Sequence, residues 1–182
     1  MKNTEFAIPQ YTTANELRRI RKLLGLTQKE FALLTGVSKP TIERWETTDK
    51  KITGPIVLTI KMLEAFPDYV DGLIIPPKEY PLRLKYMHRQ NLCTIIDVDE
   101  VKQSVKIINY TNNLLFRAFG VNTTPTFADY EEFLESRCFP HTRDKMKLIL
   151  EDLNLPVYDP FLIIQKTQGR MAEDHFWIEI EI

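Results

Sequence analysis

The chain has only six glycines and two cysteines, no surplus of either charge and no long apolar run, and each shortage closes a class of function. Gly120 and Gly169 are the only glycines after Gly72, so no glycine-rich phosphate loop can be drawn there and the common modes of nucleotide binding are disfavoured. Cys93 and Cys138 can make one disulfide at most and cannot furnish a four-thiolate zinc site. The three histidines, His88, His141 and His175, lack metal-ligand spacing, so neither a metal nor a cofactor is expected. No stretch approaches the roughly 18 apolar residues of a membrane span, and charges fall early in the chain, where a secretory signal needs an apolar core. These features predict a soluble, cytoplasmic protein with no membrane partner. With 24 Lys and Arg against 25 Asp and Glu, the net charge of −1 excludes an overall polybasic nucleic-acid binder. Hydrophobic residues make up 43% of 182 positions, enough for one ordinary domain or two small ones.

The charge is unevenly placed. The first 72 residues hold 11 Lys and Arg against 9 Asp and Glu, and the remainder 13 against 16, a split of +2 and −3. Between Thr13 and Lys61 the imbalance sharpens to ten basic residues against five acidic ones. A nucleic-acid surface, if present, is local to that segment. Ile74-Ile75-Pro76-Pro77 and then Pro81 make a stretch that neither a helix nor a central strand tolerates well. The expected organisation is a domain over residues 1–72, a linker over 73–81 and a second domain over 82–182.

Thr13-Ala14-Asn15-Glu16 is a capping-box pattern, followed by Leu17, Ile20, Leu23 and Leu24 at three- and four-residue steps, with Gly25 as the stop. Thr27-Gln28-Lys29-Glu30 repeats the box and opens a second helix carrying Phe31, Ala32, Leu33 and Leu34. Gly36 supplies a left-handed turn, Val37 an apolar plug and Ser38 the cap of a third helix, in which Pro40 is tolerated in the first turn. Ile42 and Trp45 should pack on Phe31 and Leu34, leaving Lys39, Thr41, Glu43 and Arg44 outward. Gly54-Pro55 opens a further helix with Ile56, Ile60, Leu63 and Phe66.

Leu26-Thr27-Gln28-Lys29-Glu30-Phe31-Ala32, Gly36-Val37-Ser38 and Thr41-Ile42-Glu43-Arg44-Trp45-Glu46 together resemble the helix-turn-helix domain of the Cro and CI repressors, the Xre-type family. The resemblance implies an all-α, lambda-repressor-like domain of four to five helices that reads double-stranded DNA. Thr59-Ile60-Lys61-Met62-Leu63 leading into Phe66-Pro67-Asp68 is similar to the final helix in the DNA-binding half of MqsA-type antitoxins. Those antitoxins carry a zinc domain ahead of the helix-turn-helix, where this chain has a 12-residue arm without cysteine. The resemblance therefore implies DNA binding more strongly than antitoxin activity.

A helix fits the major groove, where an arginine can bond a guanine edge twice, and Arg44 and Lys39 are the candidates for base reading. By resemblance, Gln28 at the start of the second helix should meet the phosphate backbone. Lys50 and Lys51 in the following loop would add backbone contacts. Ser38 and Thr41 complete the candidate DNA-facing set, with Thr27 and Ser38 chiefly caps. Arg18, Arg19 and Arg21 read as solvated surface or as phosphate contacts. Trp45 reads as core and Glu46 as a cap or internal partner, and Glu43 has no assigned role.

Beyond Tyr80 the pattern turns to strands over Pro81–Tyr86, Leu92–Val98 and Val105–Ile108, with Asp97–Ser104 as a hairpin loop and Leu114–Phe119 as a further candidate strand. Helical periodicity returns after Thr126 with Tyr130, Phe133 and Leu134, after Thr142 with Met146, Ile149, Leu150 and Leu153, and after Asp159-Pro160 with Leu162, Ile163 and Ile164. Phe176–Ile182 closes on an alternating strand, so a small α+β domain is expected. Cys138 and His141 are three apart but show no orienting group, and the serines Ser104 and Ser136 do not suggest a self-cleaving Ser-Lys pair. No catalytic residue is assigned. Arg137, Arg143, Arg170, Glu173 and Asp174 either stitch helices to the sheet or form an anion or partner site. The function expected is a sequence-specific DNA-binding regulator of the repressor kind, acting as a homodimer with the second domain for pairing or for sensing a small effector. The alternative is an antitoxin-like module whose second domain binds a toxin-like protein partner.

Overall fold

Residues 5–182 are described in a computed structural model of the protein, which leaves the first four residues of the arm outside the described residues. The chain divides into two compact units, Met1–Ile75 and Pro76–Ile182.

The first unit is a set of short helices set by their caps. They are α1 (Ala14–Leu23), α2 (Gln28–Thr35), α3 (Lys39–Thr47), α4 (Pro55–Ala65) and the single turn α5 (Asp68–Asp71). Thr27 Oγ1 accepts from the Glu30 N–H at 3.3 Å while Glu30 accepts from the Thr27 N–H at 2.7 Å, so both halves of the expected capping box form. At α1 only one half forms. Thr13 accepts from the Glu16 N–H, but the Glu16 carboxylate turns to the Thr12 hydroxyl and Lys61 Nζ instead of the Thr13 N–H. Gly36, at φ 69°, closes α2, and the Val37 N–H donates to the Ala32 carbonyl at 3.0 Å. The core gathers Leu17, Ile20, Phe31, Ile42, Ile56 and Ile60 from four helices, with Trp45 and Leu63 packed at its edge. Thr12 and Ile52 exchange two backbone hydrogen bonds, which ties the segment before α1 to the loop after α3. Phe66, expected on the apolar face of the fourth helix, instead caps it and is exposed, because the chain turns into Pro67 there.

The second unit is a four-stranded antiparallel sheet with helices. The strands β1 (Leu82–His88), β2 (Asn91–Asp99), β3 (Ser104–Asn109) and β4 (Phe176–Glu181) lie in the order β3-β2-β1-β4, so the final strand pairs with the first of the unit. The helices are α6 (Phe127–Ser136), α7 (Met146–Asp152) and α8 (Pro160–Thr167). One sheet face, with Leu82, Leu84, Ile96, Val98 and Ile178, is buried against Tyr130, Phe133 and Leu134 of α6 and Ile163 and Ile164 of α8. This α+β architecture is the one the strand and helix periodicities predict. The candidate strand at Leu114–Phe119 is corrected to a 3-10 turn over Leu114–Phe116, since the Asn113 side chain accepts from the Leu115 N–H and turns the chain. The helix expected from Thr142 begins only at Met146, without a side-chain cap.

The opposite sheet face holds a surprise for a strand that alternates apolar and basic residues. Arg83 is 3% exposed and faces Asp97 across the β1–β2 pair, with Nε to Oδ1 at 2.6 Å and Nη2 to Oδ2 at 2.7 Å. Its remaining donors reach the carbonyls of Pro76 and Pro77, and the Glu79 N–H donates to Asp97. One buried pair thus satisfies the backbone of a proline-rich stretch that has no secondary structure of its own. The Asp97 hydrogen bonds keep the Arg83 guanidinium more basic than usual, against the pull of burial.

Candidate nucleic-acid interface

The geometry of α3 begins with Glu46. A helix turns 100° per residue, so Ile42, Trp45 and Glu46 share the inward side and Arg44 points away from it, with Lys39 and Thr41 on either flank. Glu46 is 3% exposed, which for a lone carboxylate would be costly. It is not alone. Arg21 of α1 forks onto it with Nε to Oε1 at 2.6 Å and Nη2 to Oε2 at 3.0 Å, and Gln28 of α2 donates Nε2 to Oε2 at 2.9 Å. Arg18 donates to the Glu46 carbonyl, and Arg21 also reaches the Leu26 carbonyl at 2.8 Å. Burial alone would raise the Glu46 pKa, but the hydrogen bonds from Arg21 and Gln28 outweigh it and hold the carboxyl below the usual range. One buried acid therefore locks α1, α2 and α3 in register and fixes the angle at which α3 is presented.

That hub changes the roles expected of two groups. Arg21 is neither solvated surface nor a phosphate contact, since its side chain is 14% exposed and committed to Glu46. Arg19 pairs with Glu64 on the surface. The Gln28 side chain, expected on the phosphate backbone, is committed to Glu46, which leaves the backbone N–H at the start of α2 as the outward donor of that position. The partner lay 18 residues away, beyond the reach of any local pattern. The signal was Glu46 itself, a charge one turn after Ile42 on the face that must be buried.

The outward side of α3 is polar and cationic. Arg44 is exposed, and its guanidinium has no partner among the described residues. Lys39 Nζ lies 3.0 Å from Glu43 Oε1, an exposed pair one turn apart, so Glu43 acquires the role of holding that lysine. Such a pair contributes little and releases easily. Ser38 caps α3 by accepting from the Thr41 N–H, and the two hydroxyls lie 2.8 Å apart. Thr41 is therefore oriented by the cap.

Lys50 and Lys51 sit elsewhere in the unit. They line a cleft of about 610 Å³ together with Arg18 and the start of α1, and Lys51 Nζ lies 4.0 Å from the centre of the Tyr11 ring. The cleft joins three cations to the free N–H groups of a helix N-terminus, although Glu46 and Asp49 also border it.

In the second unit two of the candidate polar residues, Arg137 and Asp174, resolve into structure. Arg137 is buried and forks onto Asp174, with Nη1 to Oδ2 at 2.6 Å, and donates to the carbonyls of Gly169 and Phe176, which fastens the end of α6 to the approach to β4. Gly169, at φ +60°, has Arg137 Cβ at 3.3 Å and Ile178 Cδ1 at 3.2 Å from where a Cβ would stand, so a larger residue there is strained and crowds both neighbours. The Arg137 hydrogen bonds hold Asp174 below the ordinary carboxylate range. Arg143 and Arg170 lie over Phe139 and Trp177. Cys138 is buried, and burial pushes its thiol up to about 12, which keeps it protonated at neutral pH and unsuited to nucleophilic attack.

A family model described as helix-turn-helix matches residues 17–60, from the middle of α1 to α4. No curated protein and no solved structure matches the chain. Among the described residues, no helix is long and apolar enough to cross a membrane. The paired caps, the glycine turn and the outward polar face of α3 agree with that match: residues 17–60 are a helix-turn-helix DNA-binding domain of the Xre, or Cro and CI, type.

Proposed function

We propose that the protein is a transcriptional repressor that reads a specific duplex sequence, in the cytoplasm, with the exposed side of α3. The observation that carries this reading is Arg44, a guanidinium directed away from the core on a helix whose angle is locked by the buried Glu46 hub. Arg44 supplies the bidentate donor for a guanine edge, and Lys39 a second, once it leaves Glu43 for a base. Ser38 and Thr41 frame the entrance of the helix. Lys50, Lys51 and the N-terminus of α2 at Gln28 supply phosphate contacts that set register without reading sequence.

A single helix-turn-helix buries about 600–1,000 Å², too little for tight binding, so the working form is a homodimer on half-sites about one helical turn apart. Two surfaces are available for the pairing. β4 is an edge strand whose outer backbone is taken at Phe176 by Arg137 and at Ile178 by the Gln168 carbonyl, which leaves its C-terminal end for pairing, and the first unit has an apolar groove of about 420 Å³ where Met62, Phe66 and Tyr69 are exposed. The antitoxin-like alternative rests on residues 59–68, and the second unit offers a partner protein one feature, a cleft lined with carboxylates.

Selection of bound duplexes from a random pool tests the reading. The wild type should enrich a pseudo-palindrome, and Arg44→Ala should lose about 1–3 kcal/mol of discrimination at one position per half-site while keeping non-specific binding. Enrichment of no sequence by the wild type would reject it.

A further inference from the structure

An open sheet has two edges, and this one treats them differently. At β4 the Ile178 N–H donates to the Gln168 carbonyl at 2.8 Å, and the Phe176 carbonyl accepts from Arg137. At β3, which pairs with β2 alone, the outer edge is open. The Tyr110 N–H donates to the Cys93 carbonyl at 2.8 Å, in the register that sets Asn109 against Thr94. Bonded and unbonded pairs alternate along an antiparallel ladder, so Ser104, Lys106 and Ile108 turn their N–H and C=O groups to β2, while Val105, Ile107 and Asn109 turn theirs outward. Among the described residues no other backbone bonds to those outward groups.

Two further observations mark this edge as a place for another strand. A cleft of about 340 Å³ adjoins residues 105–108, with Pro76, Pro77 and residues 123–125 among its other walls, so the chain returning to α6 stands off from the strand instead of sealing it. A lysine ordinarily blunts an edge strand, but Lys106, the only charge in β3, is drawn inward. Its ammonium pairs with Glu79, which is held over β2 by its N–H bond to Asp97, and lies 5.3 Å from the centre of the Tyr80 ring. An edge left unguarded in this way accepts a strand that matches it.

The strand that matches is β3 itself. In a two-fold antiparallel pairing centred on Ile107, Val105 stands opposite Asn109 of the second copy, and every outward N–H meets an outward carbonyl. Lys106 then faces Ile108 of the second copy, so no two like charges meet. Centring the two-fold on Lys106 instead sets lysine against lysine, and centring it on Ile108 carries Val105 past the end of the opposing strand. We propose that a second copy of this chain pairs along the β3 edge in the Ile107 register, which joins two four-stranded sheets into one. The pairing deepens the homodimer reading above, on which it rests, and gives the interface a surface distinct from the β4 end and the apolar groove.

Disulfide capture with the full-length chain in the absence of DNA tests the proposal. Lys106 and Ile108 are exposed, whereas Cys93 and Cys138 are buried. In the proposed register Lys106 and Ile108 of the two copies have Cα atoms about 4.5 Å apart, within reach of a disulfide, while like positions lie roughly 7–8 Å apart on the diagonal. A mixture of K106C and I108C chains in a glutathione redox buffer should therefore yield mixed dimers. Each variant alone should stay largely uncrosslinked, as should L115C, at a position 85% exposed and outside β3. V105P removes an outward N–H that takes no part in the β2–β3 ladder, a place where an edge tolerates proline. It should abolish the capture while Trp177 fluorescence still reports a folded unit. Capture of K106C only with itself, of I108C only with itself, or of no pair would overturn the proposal whether or not V105P folds, and so would capture that survives V105P. Because no DNA is present, failure here leaves duplex reading by α3 standing, and failure to enrich a duplex leaves the edge pairing standing.

Discussion

The first unit builds its buried charge around an acid, the second around bases. Glu46 collects donors from α1 and α2 in the part of the chain that carries a basic excess, whereas Arg83 and Arg137 collect acceptors in the part with an acidic excess. Each hub holds several partners to one group of the minority sign. Exposed groups of the majority sign include Arg44, Lys50 and Lys51 in one unit and Glu100, Glu131 and Glu135 in the other. The difference teaches that the internal pairs and the outward chemistry are set together: a cation committed to a hub, as Arg21 is, is lost to the interface.

The comparison breaks most visibly if a hub loses its central partner. Asp97→Ala leaves Arg83, with a side chain 4% exposed, facing only two carbonyls, and should cost about 3–5 kcal/mol. The two tryptophans, Trp45 and Trp177, report on one unit each, so in fluorescence-monitored unfolding this loss should move the Trp177 signal far more than the Trp45 signal. Glu46→Gln keeps the shape and one acceptor but not the charge, and should cost about 2–3 kcal/mol, read chiefly by Trp45.

Acid sharpens the contrast at an intermediate scale. The folded pKa of Glu46 lies below its unfolded value, so its stabilisation is present above the ordinary carboxylate range and is lost as pH falls through the folded value. The Trp45 transition should therefore weaken on acidification, and Glu46→Gln should flatten that dependence. An unchanged pH profile in the variant would show that the hub does not control the unit. The smallest effects separate the units least. Thr27→Ala and Thr126→Ala each remove one side of a complete capping box and should cost about 1 kcal/mol apiece by thermal denaturation.

What could be read from the sequence was local. The Thr27, Ser38, Thr126 and Asp159 caps and the Gly36 turn are settled within four residues of chain, and the structure forms each of them. The hubs were opaque because their partners lie 14 to 37 residues apart, and periodicity reports which face is buried but not which acid meets which base there. Arg83 alternates with the apolar residues of β1, and the sheet face it occupies is covered by the Pro76-Pro77 backbone it binds, a covering that no local pattern signals. Leu114–Phe119 read as a strand from its apolar content, and the Asn113 cap overrode that content. At the interface, the outward positions of Lys39, Thr41 and Arg44 were legible from helix geometry, whereas the commitment of Gln28 to Glu46 was not.

Duplex affinity measured across salt concentration tests the central claim most directly. If the α3 surface and the flanking lysines dock on DNA, log affinity should fall steeply and linearly with log salt, and Lys50→Ala should reduce the slope by about one phosphate contact while leaving base preference intact. A flat titration, or a slope indifferent to both Arg44 and Lys50, would contradict it.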